Sequence, residues 1–545
     1  MSVLACRSQS SMGSPGFEQR QPSPPTSFVP DRNGDSQVAR FYQDRAVFLT
    51  GGTGFIGKVL LEKLLRSCPG LKQVYLLIRT KRGEEPQARL TTMLGSKVFE
   101  SLKQDRPRAL DKVRAVSGDI TLPSLGLSMS DRATLIEEVS VVFHSAATIK
   151  FDEPLKVAVQ LNVLGTRHVL DLCKRIPNLC AFVHVSTAYS NCEKRTEVHE
   201  VIYQPLVDTE TVVAASMRPD DKCMSNADEF LFGLPNTYTL TKRLAESLLR
   251  DERGAAPVAI VRPSIVTASW REPFPGWIDN FAGCTGIIAS AGTGLLPSMV
   301  GKKDCIGDFI PVDIVANTLI CVAWHTAMTR SEHVRVYHCA SGAFKCQTWG
   351  DMTTAVQEAV LRYPMPYVAR YPKLAVTSSD LWYSANLWCL HCLPAFVGDL
   401  TLQLMGQQPR FIQRYRKIRK RMDIVRYFTT HGWLFRSNNL AGLVGDLSPM
   451  DKELFSLDIE NIEWRPYWDQ YVLGIRKHLF KAEDDKLPDA RRQLKWLYAV
   501  HLTLHLPLLI LGSRLLMTEA ASKLGYSTMT AVTKLWKTFL AMWHL

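Results

Sequence analysis

Ala46-Val47-Phe48-Leu49-Thr50-Gly51-Gly52-Thr53-Gly54-Phe55-Ile56-Gly57 is the stretch that decides the fold. Its first four residues are apolar, as a short buried strand requires. Lys58-Val59-Leu60-Leu61-Glu62-Lys63-Leu64-Leu65 follows with helical periodicity. Between strand and helix, Gly51 permits a tight turn, Gly54 lets the backbone approach a pyrophosphate, and Gly57 lets helix and strand pack closely. The helix N-terminus offers free N–H groups and a positive dipole end to phosphates. Glycine spacing alone also fits an ordinary turn, but with both flanking elements it reads as a dinucleotide cradle. Thr50, Thr53, Phe55 and Ile56 belong to the same cradle.

The end of the next strand bears on the cofactor. Gln73 to Ile78 reads as that strand, and an NAD site usually places an Asp or Glu after it to bind the ribose 2′-OH. Here the chain continues Arg79-Thr80-Lys81-Arg82. Arg79 and Lys81 suit a 2′-phosphate, so NADPH is the expected cofactor; a solvated basic loop is the alternative.

The chemistry is expected further on. Cys180 to Val185 reads as a strand ending in Ser186-Thr187. Tyr238 and Lys242 open a helix and, four residues apart, share one of its faces. A neighbouring ammonium favours the phenolate, so Lys242 is expected to lower the Tyr238 pKa and make it a proton donor at neutral pH. A hydroxyl from Thr187 or Ser186 would complete an oxyanion site.

Gly51/Gly54/Gly57, Gly118-Asp119-Ile120, His144-Ser145-Ala146-Ala147, Ser186-Thr187, Tyr238/Lys242 and Arg262-Pro263-Ser264 together resemble the extended short-chain dehydrogenase/reductases. Within that group, Phe143 to Ala147, Asn162 to Thr166, His184 to Tyr189 and Asn236 to Tyr238 resemble the alcohol-forming fatty acyl-CoA reductases. Thr429-Thr430-His431, Leu447 to Pro449, Leu454-Phe455 and Trp464 resemble that family's C-terminal domain, and the likeness covers about residues 41–520. It implies Asp119 near the adenine, Ala146 and Ala147 along the cofactor ribose, Asn162 in the cofactor site and Pro263 near the nicotinamide. It also implies Thr187 rather than Ser186 as the catalytic hydroxyl. Arg436-Ser437-Asn438-Asn439 departs from the family where a more acidic stretch is expected, and Gly432 stands where a larger residue is usual.

The implied architecture is α/β: a Rossmann-type doubly wound parallel sheet, a mainly helical C-terminal domain and a C-terminal membrane segment. The expected divisions are a disordered segment (1–40), an NADPH-binding reductase domain (41–343), a C-terminal reductase-like domain (344–489) and a membrane-anchoring tail (490–545). The first segment is rich in Ser, Pro, Gln and Gly, which cannot build a packed element. The long insertion between Thr187 and Tyr238 reads as a substrate lid or a surface loop.

With 545 residues and 46% hydrophobic residues, the chain can bury more than one core. A formal charge of +13 suits phosphates and anionic membrane surfaces. Nucleic acid is not expected, because no nucleic-acid motif accompanies the charge. Thirteen cysteines without a regular framework, and no secretory signal, suggest reduced thiols facing the cytosol. No metal is assigned; Cys389-Leu390-His391-Cys392 is the one close pair and lies in an apolar stretch.

Three segments suggest a membrane. Leu381 to Gly398 is uncharged, though Ser384, Asn386, His391 and Pro394 favour an interfacial or buried helix pair over a span. Arg410, Arg414, Arg416, Lys417, Arg419, Lys420, Arg421 and Arg426 interleave with Phe411, Ile412, Tyr415, Ile418, Met422 and Val425 as a basic amphipathic helix, suited to a membrane surface or to packing on its own domain. Trp496 to Ser513 is uncharged and Leu-rich, at the short end of the roughly 17–25 residues that span a bilayer. The expected location is an intracellular membrane, endoplasmic reticulum or peroxisome, with a cytosolic active site.

The reading is therefore NADPH-dependent reduction of long-chain or very-long-chain acyl-CoA to a fatty alcohol, through an aldehyde, feeding wax or ether lipid synthesis. A membrane-bound sterol or lipid alcohol dehydrogenase on the same fold is the alternative enzyme, and an inactive cofactor-binding scaffold the alternative of another class.

Overall fold

The computed structural model describes residues 35–194, 197–217, 228–388 and 393–517. Seven strands make its central sheet: β1 (Ala46–Thr50), β2 (Gln73–Ile78), β3 (Val113–Ser117), β4 (Val139–His144), β5 (Ala181–Val185), β6 (Val258–Pro263) and β7 (Arg335–Cys339). All pair in parallel, in the order β3-β2-β1-β4-β5-β6-β7. The chain winds outward from β1 in one direction and then from β4 in the other. Such a reversal opens a crevice at the carboxyl ends of β1 and β4, where α/β sheets bind their ligands.

Both faces of the sheet are covered, which is why its strands read as apolar runs rather than alternations. Val47 and Leu49 point into one core cluster, Ala46 and Phe48 into the other. The first cluster is completed by α1 (Phe55–Ser67), and the second by α2 (Gly165–Cys173) and α3 (Thr237–Glu252). Helix α4 (Val312–Thr329) joins the first face. Among the described residues it is the single helix long and apolar enough to cross a bilayer, but 89% of it is buried inside the protein. A helix apolar all round that is enclosed by its own chain is a core helix.

The C-terminal region packs on this core through aromatic contacts. From α5 (Trp349–Arg362), Trp349 meets the Phe309 ring edge-on at 5.3 Å. Helix α6 (Phe411–Thr430) carries the basic run and turns Ile418, Met422 and Val425 toward the core. From α7 (Trp464–Gly474), Trp468 also meets Phe309 at a right angle, at 5.2 Å. Helix α8 (Leu487–Met517) contains the whole Leu-rich run; Trp496, Tyr498 and Leu502 are exposed, and the side chains from 504 on lie outside the described residues.

Leu381 to Gly398 falls in the helices Asp380–Leu387 and Leu393–Leu404, and the Cys389–Cys392 stretch between them lies outside the described residues. One expectation is refined. The end of the Ser/Pro-rich N-terminal segment is ordered, with a short helix at Gln37–Phe41. Asp451 accepts hydrogen bonds from the Ser36 hydroxyl and from the Gln37 and Val38 N–H groups, while Val38 is fully buried. Residues 1–34 lie outside the described residues.

Candidate active site

The glycine loop has the form its sequence implies. Gly51 lies at φ +74°, and a Cβ there would stand 2.6 Å from the Ala146 nitrogen. A Cβ on Gly57 would stand 2.3 Å from the Gly51 carbonyl oxygen. Neither position accepts a side chain while the loop stays this close to the segment after β4 and to α1. Gly54 is the N-cap of α1 and has no side chain to satisfy the first-turn N–H groups. This cradle fits a nucleotide pyrophosphate, with Thr53, Phe55 and Ile56 at its rim and partly accessible. Phe55 stacks on Trp277 at 5.2 Å.

Thr50 works behind the loop. Its hydroxyl lies 2.7 Å from His144 Nδ1 and accepts the Ala146 N–H at 3.3 Å, tying β1 to the end of β4. His144 Nε2 lies 3.1 Å from the Thr166 hydroxyl. His184 is its neighbour across the sheet, with ring centroids 5.3 Å apart and no hydrogen-bond partner for either ring nitrogen among the described residues. Burial, reinforced by the Lys242 charge, depresses both histidine pKa values, that of His144 to about 3, so both are neutral.

Arg79 and Asp119, at the ends of β2 and β3, lie 3.5 Å apart, the arginine half exposed. Lys81 is exposed beside them, in a turn where its N–H donates to the Glu84 carbonyl. Ala147 continues the partly accessible segment after β4, and Pro263 ends β6 beside Cys339 of β7. Asn162 occupies a single π-turn, Gln160–Leu164, a helix irregularity frequent at functional sites. Its side chain accepts the Thr148 N–H at 2.9 Å and donates to the Thr148 carbonyl and the Thr241 hydroxyl. Asn162 thus fixes the loop after β4 against α3.

Helix α3 starts at an Asn236 N-cap, whose side chain accepts the Thr239 N–H, and presents Tyr238, Lys242 and Glu246 at four-residue steps. Tyr238 is half-buried, with the Thr187 hydroxyl near enough to lower the pKa of its phenol. Ser186 is engaged elsewhere, donating to Glu246, which agrees with Thr187 as the hydroxyl partner of the tyrosine. The expected effect of Lys242 on the phenol is corrected. Its ammonium donates to the Val185 carbonyl at 2.7 Å. Burial pushes the Tyr238 pKa up to about 12; Thr187 lowers it and Glu246 raises it. Burial also brings Lys242 down to about 8, opposed by Glu246.

Glu246 and Arg262 form a fully buried two-point ion pair that the motif reading did not single out. Glu246 also accepts from Ser190, and Arg262 donates to the His199 and Val201 carbonyls. A carboxylate one turn after Lys242, on the same face, was the available signal. The pair fastens the first part of the long insertion across the ends of β5 and β6. Glu197–Val198 of that insertion pairs with Leu434–Phe435, Arg436 meets Glu197, and the Asn439 N–H donates to Glu200. The departure at Arg436–Asn439 therefore matches acids on the insertion. Gly432 packs closely too, since a Cβ there would stand 3.0 Å from the Ile306 nitrogen. Residues 195–196 and 218–227 of the insertion lie outside the described residues.

An aromatic wall adjoins the tyrosine. Phe151 stacks on Tyr238 at 5.6 Å and meets Phe428 of α6 at 5.4 Å; Tyr189 packs edge-on against Phe428 and Trp433. Neither Phe151 nor Phe428 belongs to a motif, so only the folded chain brings them to the site.

Known proteins match the chain over most of its length. Residues 49–319 match an NAD-binding family described as "Male sterility protein", and residues 390–482 match a second family, Sterile, of the same description. The chain is 40% identical over 458 residues to fatty acyl-CoA reductase 1 of Xenopus laevis, covering 84% of this chain and 89% of that protein. It is 38% identical to fatty acyl-CoA reductase 1 of Homo sapiens and 36% to fatty acyl-CoA reductase 2 of Bos taurus, covering in each case 89% of this chain and 94% of the relative. Among solved structures, the terminal R domain from the myxalamid PKS-NRPS biosynthetic pathway has the same fold: TM-score 0.54 at 20% identity, covering 82% of this chain and 96% of that one.

Proposed function

Because the chain belongs to the fatty acyl-CoA reductase family, we propose that it reduces long-chain or very-long-chain acyl-CoA to a fatty alcohol and free CoA, with NADPH as reductant. The observation that carries this reading is Tyr238 beside Thr187 and stacked on Phe151, which in turn meets Phe428.

A nicotinamide cofactor fits the cradle because the two glycines let the loop close tightly on α1 and on the segment after β4, and the helix end that opens there is uncapped. When bound it supplies hydride to the carbonyl carbon. The chain's own residues do the rest. Tyr238 and Thr187 hydroxyls stabilise the charge growing on the carbonyl oxygen, and Tyr238 gives up a proton to it. A phenol with a raised pKa is a hydrogen-bond donor throughout the neutral range. Lys242, cationic below about pH 8, holds positive charge beside the ribose and is anchored by the Val185 carbonyl. Asn162 keeps the Thr148 loop in place. As the hemithioacetal collapses, its O–H proton returns to Tyr238, the C–S bond breaks, CoA leaves as the thiolate and takes a proton from water, and an aldehyde remains. The same hydroxyl pair then serves the reduction of that aldehyde to the alcohol, with the second hydride from a second NADPH.

NADPH rather than NADH is supported by Arg79 and Lys81 at the end of β2. Membrane attachment, to an endoplasmic reticulum or peroxisome membrane with a cytosolic site, is supported by the Leu-rich run within α8 and by the low water solubility of the substrate's chain. The alcohol would feed wax or ether lipid synthesis. Incubation of the full chain with palmitoyl-CoA and NADPH, followed by lipid extraction, tests the reading. Hexadecanol is the expected product; free aldehyde alone, or oxidation of a sterol with no thioester turnover, would replace it with another reaction.

A further inference from the structure

Helix α6 leads away from the catalytic tyrosine with a basic stripe. Phe428, near its end, touches Phe151, the ring stacked on Tyr238. Lys420 and Lys417 stand eight and eleven positions earlier and lie on the Phe428 side of the helix, with Ile424 between. Ile418, Met422 and Val425 turn another stripe into the core, so the lysine stripe is set by packing. Both lysines are exposed. Lys420 pairs at 2.8 Å with Asp152, next to Phe151, which fixes the stripe beside the loop that carries the aromatic wall. Lys417 has no ion pair among the described residues. Asp399 accepts the Arg410, Phe411 and Ile412 N–H groups and holds the far end of the helix.

The spacing suits one ligand. At 1.5 Å per residue, Lys420 and Lys417 stand roughly 12 and 17 Å along the axis from Phe428. A pantetheine arm, thirteen single-bond lengths from thioester sulfur to the first phosphorus, extends on the order of 15 Å. We propose that the Lys417–Lys420 stripe of α6 binds the phosphates of the CoA nucleotide, while the acyl thioester lies at Tyr238 beneath Phe151 and Phe428. The proposal rests on the acyl-CoA reading above and adds where the carrier's charge is recognised. Lys420 would exchange its partner Asp152, itself half exposed, for phosphate.

Two substrates separate this site from the chemistry: palmitoyl-CoA and the palmitoyl thioester of N-acetylcysteamine, which has no nucleotide. In the full chain, Lys417→Gln/Lys420→Gln should lower the ratio of kcat/KM for the first to that for the second about tenfold or more, since it removes two charge-assisted contacts. In the unmodified protein, added salt should raise KM for palmitoyl-CoA more than for the truncated thioester. This second measurement stands even where the double variant folds poorly. An unchanged ratio together with equal salt responses overturns the proposal. If that variant instead loses binding to phosphatidylserine vesicles, the stripe is a membrane contact. Turnover of neither substrate by the unmodified protein would remove the acyl-CoA reading as well.

Discussion

Glu246 and Arg262 meet at two points, 2.9 Å and 2.6 Å, where neither side chain reaches solvent. The pair joins α3, which carries Tyr238 and Lys242, to β6 and to the inserted segment at His199–Val201. Removing one partner leaves the other charged, buried and unpaired. Arg262→Met or Glu246→Leu should therefore each cost about 3–5 kcal/mol in denaturant unfolding. The double replacement should cost less than the sum. A single replacement that costs under about 1 kcal/mol would show that the pair does not hold the insertion.

Tyr238→Phe keeps the ring stacked on Phe151 and removes only the hydroxyl. Proton donation is worth about 10²–10⁴ in rate, so kcat should fall by that order while cofactor still binds. Thr187→Val should fall in the same direction. Near-normal alcohol formation by Tyr238→Phe would take the residue out of the mechanism.

The pH dependence follows from Lys242. Its pKa of about 8 lies below the ordinary lysine value, so it is cationic at neutral pH and loses its charge as pH rises through 8. The groups around it are His144 on β4, His184 on β5, and Glu246 and Tyr238 on its own helix. Both histidines are held neutral by burial, and Tyr238 keeps its proton to about pH 12. In the free enzyme kcat/KM should thus fall above about pH 8. Glu246 raises the Lys242 value, so Glu246→Gln should move that limb to lower pH. A profile flat to pH 10 would contradict the assignment.

Arg79 is half exposed and opposite Asp119, so its contribution is screened. Arg79→Ala should raise KM for NADPH about tenfold, at the low end for a charged contact, and leave KM for NADH little changed. Steady-state titration with both cofactors decides this. Equal use of the two by the unmodified protein would refute the 2′-phosphate reading.

Much of the site was legible because its signals are local. Gly51 and Gly57 announce themselves, since their roles depend on a missing Cβ and a fixed order of strand, turn and helix. Tyr238 and Lys242 share a helix face for reasons of spacing alone. The sheet followed from apolar runs that alternate with helices. What sequence did not reveal depends on burial and on contacts between distant segments. The Tyr238 pKa was expected to fall toward a neighbouring lysine, but desolvation raises it and Lys242 spends its ammonium on a backbone carbonyl. Phe428 reaches Phe151 across a long stretch of chain. The Glu246–Arg262 pair likewise joins two elements that carry no shared periodicity.

The most direct test of the account is the isotope content of the product. Full-length protein is incubated with palmitoyl-CoA and NADPH deuterated at the transferable position, and the extracted lipid is weighed by mass spectrometry. Two hydride transfers to the same carbon, with the Tyr238–Thr187 pair serving both, predict hexadecanol carrying two deuterium atoms at C1. Hexadecanal with one deuterium as the final product, or hexadecanol with fewer than two, would contradict it.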